Sequence, residues 1–121
     1  MYLIRVKGEF SAAHRIEGYD GDCANIHGHN WRVEAVIRAE ELDDLGLACD
    51  FRRAKDILGE VLQKFDHKDL NEHPWLDGGN PTSERIAKII FERIEKLLSE
   101  ELSLESVEVF ESDMASVIYI P

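Results

Sequence analysis

The stretch Cys23-Ala-Asn-Ile-His27-Gly28-His29-Asn30-Trp31-Arg32-Val33-Glu34-Ala35-Val36-Ile37-Arg38 sets the reading of the whole chain. From residue 30 to residue 40, Trp31, Val33, Ala35 and Ile37 fall on one side, while Arg32, Glu34 and Arg38 fall on the other. Successive side chains of a strand point to opposite faces, so this segment reads as a strand in a sheet with one better-buried face. If the strand begins near His27, His27 and His29 also share a side, and two imidazoles on one face make half of a metal site. A catalytic zinc site uses three protein ligands and keeps its fourth position for water or substrate. His14 is the candidate third ligand, because three of the five histidines lie between positions 14 and 29, with the thiol of Cys23 among them.

Outward from that strand, residues 2 to 10 alternate loosely and read as another strand, and Ser11-Ala12-Ala13-His14 leads into a Gly- and Asp-rich loop ending near Ile26. Asp43-Asp44-Leu45-Gly46 marks a turn. From Arg52 to Phe65 the apolar positions Ala54, Ile57, Leu58, Val61, Leu62 and Phe65 recur at steps of three and four, the stripe of an amphipathic helix, with Asp50 placed to cap it. A second helix follows Pro81-Thr82-Ser83-Glu84, with Thr82 or Ser83 as N-cap and Glu84 favourable to the helix dipole. Ile86, Ile89, Ile90, Ile94, Leu97 and Leu98 supply its core face. Residues 105 to 112 and 116 to 120 read as strands joined by a hairpin at Ser112-Asp113-Met114-Ala115. The order strand, strand, helix, helix, strand, strand predicts an α+β fold: a four-stranded, mainly antiparallel sheet with both helices on one face. Open sheet edges and a second face carrying aromatics such as Phe110 predict assembly into an oligomer.

Composition narrows the function classes. A length of 121 residues predicts a single domain over residues 1–121, and 44% hydrophobic with 32% charged residues is the balance of a soluble globular protein. No apolar run reaches membrane-spanning length, and Met1-Tyr2-Leu3-Ile4-Arg5-Val6-Lys7 is an interrupted alternation and not a secretory leader, so a cytoplasmic protein without a membrane partner is expected. Cys23 and Cys49, separated by a strand, are expected as free thiols. The net charge of -11 argues against nucleic acid as a partner, and a phosphate-bearing ligand would need a local cluster of Arg, Lys or backbone amides.

Two further polar features stand out. Asp66-His67 follows the last apolar position of the first helix, where the dipole's negative end and the adjacent carboxylate both stabilise an imidazolium. A Cys23-His67-Asp66 proton-transfer set is open here beside the simpler reading of an Asp-His pair that ends a helix. Val107, Val109 and Glu111 share one face by period-two counting, which puts the Glu111 carboxylate on the apolar side. Either that strand end is solvated, or a ligand with a pair of donors, such as the edge of a pterin or guanine ring, binds there.

Phe10-Ser-Ala-Ala-His14, Cys23-x-x-x-His27-Gly-His29-Asn, Asp50-Phe51, Asp66-His67-x-x-Leu70-Asn71, Pro81-Thr82-Ser83-Glu84 and Val109-Phe110-Glu111-Ser112 follow one another along nearly the whole chain. Together they resemble the 6-pyruvoyl-tetrahydropterin synthase family. The resemblance implies the tunnelling fold, in which ββααββ subunits join into a trimeric barrel and two trimers stack into a homohexamer with active sites at subunit interfaces. It implies Zn2+ on His14, His27 and His29, and Cys23 as catalytic base or proton shuttle with Asp66 and His67 completing its relay. Glu111 would anchor the pterin ring, with Thr82 and Ser83 as polar contacts.

Cys23 lies four residues before His27, a compact spacing similar to that of the bacterial carboxy-forming branch of the family. That branch implies conversion of 7,8-dihydroneopterin triphosphate to 6-carboxy-5,6,7,8-tetrahydropterin, with loss of triphosphate and acetaldehyde, in the queuosine and 7-deazapurine route. Two alternatives stay open. One is 6-pyruvoyl-tetrahydropterin synthesis, which eliminates triphosphate and keeps every side-chain carbon. The other is a non-catalytic zinc module in which Cys23 closes the site as a fourth ligand. Cys49 is expected as a core residue, His73 as a loop imidazole, and Lys68 and Arg15 as candidates for the triphosphate.

Overall fold

The computed structural model describes residues 1–121. Strands β1 (Tyr2–His14) and β2 (His27–Ala39) pair antiparallel without a break, from Tyr2 opposite Ala39 to His14 opposite His27. This ladder is why β1 continues past residue 10: Ser11 to His14 lie opposite residues 27 to 30, which satisfy backbone groups a loop would leave to water. Helix α1 (Phe51–Gln63), strand β3 (Lys68–Asp69), helix α2 (Ser83–Glu95) and strands β4 (Leu102–Ser112) and β5 (Ala115–Tyr119) follow. The sheet order is β3-β1-β2-β4-β5.

The expected four-stranded antiparallel sheet is therefore corrected to a five-stranded mixed one. The added strand β3 lies parallel to β1, with Lys68 opposite Ala12 and Asp69 opposite Ala13. A two-residue strand carries no hydropathic period, so nothing in the pattern marks it.

Both helices cover one face, α1 over β1 and α2 over β4 and β5. Asp50 caps α1 by accepting the Arg52 N–H at 2.9 Å, and Ala54, Ile57, Leu58, Val61 and Leu62 face the core. Phe65 lies beyond the end of α1 yet is fully buried, its ring 5.4 Å from that of Phe10. Thr82 is the N-cap of α2, accepting the Arg85 N–H at 3.2 Å. The core face of α2 is Ile86, Ala87, Ile90, Phe91 and Ile94, while Leu97 falls past the helix end and is 36% exposed. Each large side chain buried in this way contributes about 1.5–3 kcal/mol relative to exposure.

Helix α1 and β1 approach closely at Gly8, where a Cβ would lie 2.9 Å from Leu62 Cδ1 and 3.3 Å from Leu58 Cδ2. Gly8→Val is expected to lower stability by about 1–3 kcal/mol through overpacking, read as a lower urea midpoint at unchanged m-value.

Two bulges shape β4. Val36 is opposite Ser106 but Ile37 is opposite Leu104, which leaves Glu105 unpaired, and a second shift between Phe110 and Ser112 leaves Glu111 unpaired against β5. Glu111 keeps the face of Val107 and Val109 and reaches the site described below. On the sheet's other face Arg32 lies 4.1 Å over the Phe110 ring and pairs with Asp113 at 2.8 Å, so that aromatic is partly covered. No helix is long and apolar enough to cross a membrane.

Candidate metal centre

The β1–β2 ladder ends by setting His14 opposite His27, with His29 two residues further along β2. One ring nitrogen from each of these three lies within 4.8 Å of the others. The rings meet edge to face, with centroids 4.6 Å apart for His14–His27, 4.8 Å for His27–His29 and 5.2 Å for His14–His29. Trp31 is their floor: fully buried, it packs 4.9 Å from His14 and 5.0 Å from His29 and donates its indole N–H to the Ala12 carbonyl at 3.1 Å.

Hydrogen bonds assign the imidazole protons. His14 Nδ1 donates to the Pro81 carbonyl at 2.8 Å and His27 Nδ1 to the Asn25 carbonyl at 2.7 Å, which leaves both Nε2 atoms as bare lone pairs. The Nε2 atoms of His14 and His29 are buried without any hydrogen-bond partner. Such an orphaned atom costs about 1–3 kcal/mol, and a shared cation would relieve two of them at once. The three imidazoles therefore fit a metal ion.

Burial holds the His29 imidazole below its ordinary pKa; Glu111 pulls the other way, while His14 and His27 push with burial. A depressed folded value means that the unfolded chain binds the proton more tightly, so this contribution to stability is present above pH 6.5 and lost on acidification through and below it. Chelator-treated protein is expected to have falling urea midpoints as pH drops from 7 to 5 (values about the ordinary imidazole range), and His29→Gln to flatten that slope.

Glu111 Oε1 sits 3.6 Å from His14 Nε2 and accepts the Ser83 hydroxyl at 2.9 Å. Glu111, Ser83, Thr82 and Cys23 line one open cavity of about 370 Å³ beside the imidazoles. Cys23 is exposed in a short turn, Asp22–Ala24, and its carbonyl accepts the Ile16 N–H at 2.7 Å. The thiol is not part of the three-imidazole cluster.

Asp66 and His67 lie elsewhere, on the outer edge of β1. Asp66 accepts the Ser11 N–H at 2.9 Å, the His67 N–H donates to the Ser11 carbonyl at 2.6 Å, and the two side chains pair at 2.9 Å. The Ser11 N–H, followed by His67, holds the Asp66 carboxyl below the usual carboxylate range. His67 adopts φ 57, uncommon outside glycine, and its side chain is 83% exposed. Helix α1 has ended at Gln63, so backbone docking on Ser11, and not the helix dipole, positions this pair. No hydrogen bond or ion pair joins it to Cys23; within one subunit the structure groups Cys23, Thr82, Ser83 and Glu111 with the imidazoles and leaves Asp66–His67 apart.

The remaining polar residues have structural explanations. Cys49 packs against the core, and burial, aided by Asp50, pushes its thiol pKa up. His73 splints its loop, donating to the Lys64 carbonyl at 2.8 Å and accepting the Trp75 N–H at 3.1 Å. Arg15 is engaged by Glu17 at 3.1 Å, and Lys68 is exposed on β3. Sequence reasoning did not assign Trp31 to the site, although residues 27, 29 and 31 share parity. The Pro81 and Asn25 carbonyls leave no side-chain signal at all.

Three convergent imidazoles that could hold a metal ion stand next to a cavity lined by a carboxylate and a thiol, the arrangement of an enzyme domain. Residues 3–121 match the family described as 6-pyruvoyl tetrahydropterin synthase, and the chain belongs to that family. A relative from Archaeoglobus fulgidus, provisionally named a 6-carboxy-5,6,7,8-tetrahydropterin synthase, is 38% identical over 92% of this chain and 89% of its own length. The Synechocystis protein named 6-carboxy-5,6,7,8-tetrahydropterin synthase is 32% identical over 98% of this chain and 93% of its own. A Pyrococcus furiosus protein named dihydroneopterin monophosphate aldolase is 32% identical over 88% and 87%. The solved structure of Caenorhabditis elegans 6-pyruvoyl tetrahydropterin synthase superposes with a TM-score of 0.87 at 27% identity, covering 99% of this chain and 95% of that one. The chain is thus a lyase of the tetrahydropterin synthase family with that family's subunit fold.

Proposed function

We propose that the chain is a zinc-dependent 6-carboxy-5,6,7,8-tetrahydropterin synthase, which converts 7,8-dihydroneopterin triphosphate to 6-carboxytetrahydropterin and releases acetaldehyde and triphosphate, in queuosine and 7-deazapurine biosynthesis. The observation that carries this reading is the Cys23 thiol opening on the cavity that holds Glu111, beside imidazoles with bare Nε2 atoms.

His14, His27 and His29 would hold the ion, which when bound supplies Lewis acidity to hydroxyls of the substrate side chain. Glu111 offers a carboxylate to the N–H edge of the pterin ring, and Ser83 orients it through Oε1. Thr82 fixes the start of α2 and so the place of Ser83. Cys23 takes and returns a proton at the side chain, a general acid–base contribution of about 10²–10⁴-fold.

Asp66 stays anionic and orients the His67 imidazole, whose exposure suits a proton relay that serves the Cys23 cavity of a neighbouring subunit. That arrangement belongs to a homohexamer of two stacked trimers, with residues 1–121 acting as one tetrahydropterin-synthase-like unit in the cytoplasm. Lys68, exposed and without an ion-pair partner, is the candidate for the triphosphate.

Mass analysis of products from zinc-loaded protein and 7,8-dihydroneopterin triphosphate, with acetaldehyde trapped in the same reaction, tests the reading. Carboxytetrahydropterin with acetaldehyde supports it. A pyruvoyl product without acetaldehyde assigns the biopterin-type reaction instead, and cleavage of dihydroneopterin monophosphate alone assigns the activity for which the Pyrococcus relative is named.

A further inference from the structure

Two asparagine side chains behave as surrogate strand residues on the segment that leaves β1. Asn71 accepts the Arg15 N–H at 2.8 Å and donates to the Arg15 carbonyl at 3.0 Å. Asn80 accepts the Glu17 N–H at 2.9 Å and donates to the Glu17 carbonyl at 2.9 Å. A carboxamide carries donor and acceptor on one carbon, so each side chain replaces both hydrogen bonds of a neighbouring strand. Between the two clamps, Ile16 donates its N–H to the Cys23 carbonyl at 2.7 Å.

Residues 15 to 17 are thus a hub. His14 precedes them, and Ile16 ties the Cys23 turn to them. The grip also reaches the His14 ring, because Asn80 directly precedes Pro81, whose carbonyl holds His14 Nδ1 at 2.8 Å. The Asn80 carbonyl is itself fixed, accepting from the Thr82 N–H at 2.9 Å and from Arg85 Nη1 at 3.1 Å. Asn80 and Pro81 therefore hold the His14 segment at two points, its ring and the backbone three residues on.

We propose that Asn71 and Asn80 are positioning residues of the metal centre: they hold the segment between His14 and Cys23 so that the imidazole keeps its place beside Glu111 at the cavity that the thiol lines. The proposal rests on the three imidazoles binding a metal, and it is independent of which pterin is turned over. Loss of partners that orient a metal ligand typically lowers affinity about 10–100-fold.

The test is titration of metal-stripped protein with Co2+, followed by its visible absorption, in wild type, Asn71→Ala and Asn80→Ala, with Zn2+ affinity from chelator competition. Each variant is expected to lose about 10–100-fold in affinity with an altered Co2+ band, at temperatures where it is fully folded. Ile57→Val, a core change in α1, is the stability control and is expected to lower the denaturation midpoint with unchanged affinity and spectrum. If Asn80→Ala does not fold, Asn80→Asp, which keeps the acceptor for the Glu17 N–H and loses the donor to the Glu17 carbonyl, carries the same expectation. Wild-type affinity and spectrum in the asparagine variants, with only the midpoint lowered, would overturn the proposal and leave the clamps structural. Wild-type protein that takes up neither Co2+ nor Zn2+ would overturn the metal centre itself, and the positioning role with it.

Discussion

Cys23→Ala is expected to reduce turnover by about 10²–10⁴-fold while metal content and the denaturation midpoint stay at wild-type values. The expectation rests on where the thiol is. It is exposed, it stands outside the imidazole cluster, and no hydrogen bond uses its sulfur, so an alanine leaves no cavity and no orphaned partner. The contact that holds its turn, Ile16 N–H to the Cys23 carbonyl at 2.7 Å, belongs to the backbone and survives the substitution. The Glu111–Ser83 pair is also untouched, so KM should change much less than kcat. Single-turnover kinetics together with metal analysis check this. Loss of the metal along with activity would make Cys23 a ligand, contrary to its position.

The parts of this molecule that follow a local period were legible before the structure. The alternation of Trp31, Val33, Ala35 and Ile37 placed β2, and the same parity extended to His27 and His29 placed two imidazoles together. The stripe from Ala54 to Leu62 placed α1, and period-two counting put Glu111 on the apolar side. What failed to show is non-local. Strand β3 exists because Lys68 and Asp69 meet the free edge of β1, a pairing across more than fifty residues that two side chains cannot encode. The bulges at Glu105 and Glu111 depend on partner strands. Asp66 and His67 were identified as residues but not placed, because their position is set by the Ser11 backbone and not by the helix they follow. The tautomers of His14 and His27 are set by carbonyls, which every residue has and no sequence singles out.

His14→Ala is expected to lower metal affinity by more than the ~10–100-fold typical of outer partners, because a ligand itself is removed. His27→Ala should match it in affinity, yet the two should differ in stability. His14 is 1% exposed, packs on Trp31 and bonds the Pro81 carbonyl, so its truncation leaves a cavity and an unpaired acceptor. Those effects together are of the order of 2–5 kcal/mol, reduced by relief of the orphaned His14 Nε2. His27 is half-buried and its carbonyl partner on Asn25 is open to water, so its loss costs much less in the metal-free protein. Metal then separates binding from folding. A ligand bound only by the native state stabilises it by about 4 kcal/mol at a thousand times its Kd, so the wild-type urea midpoint should rise with added Zn2+. Both variants should show a much smaller rise at that concentration, although His27→Ala starts near the metal-free wild type and His14→Ala starts well below it. A Zn2+-dependent rise in His14→Ala equal to that of wild type would place the ion elsewhere.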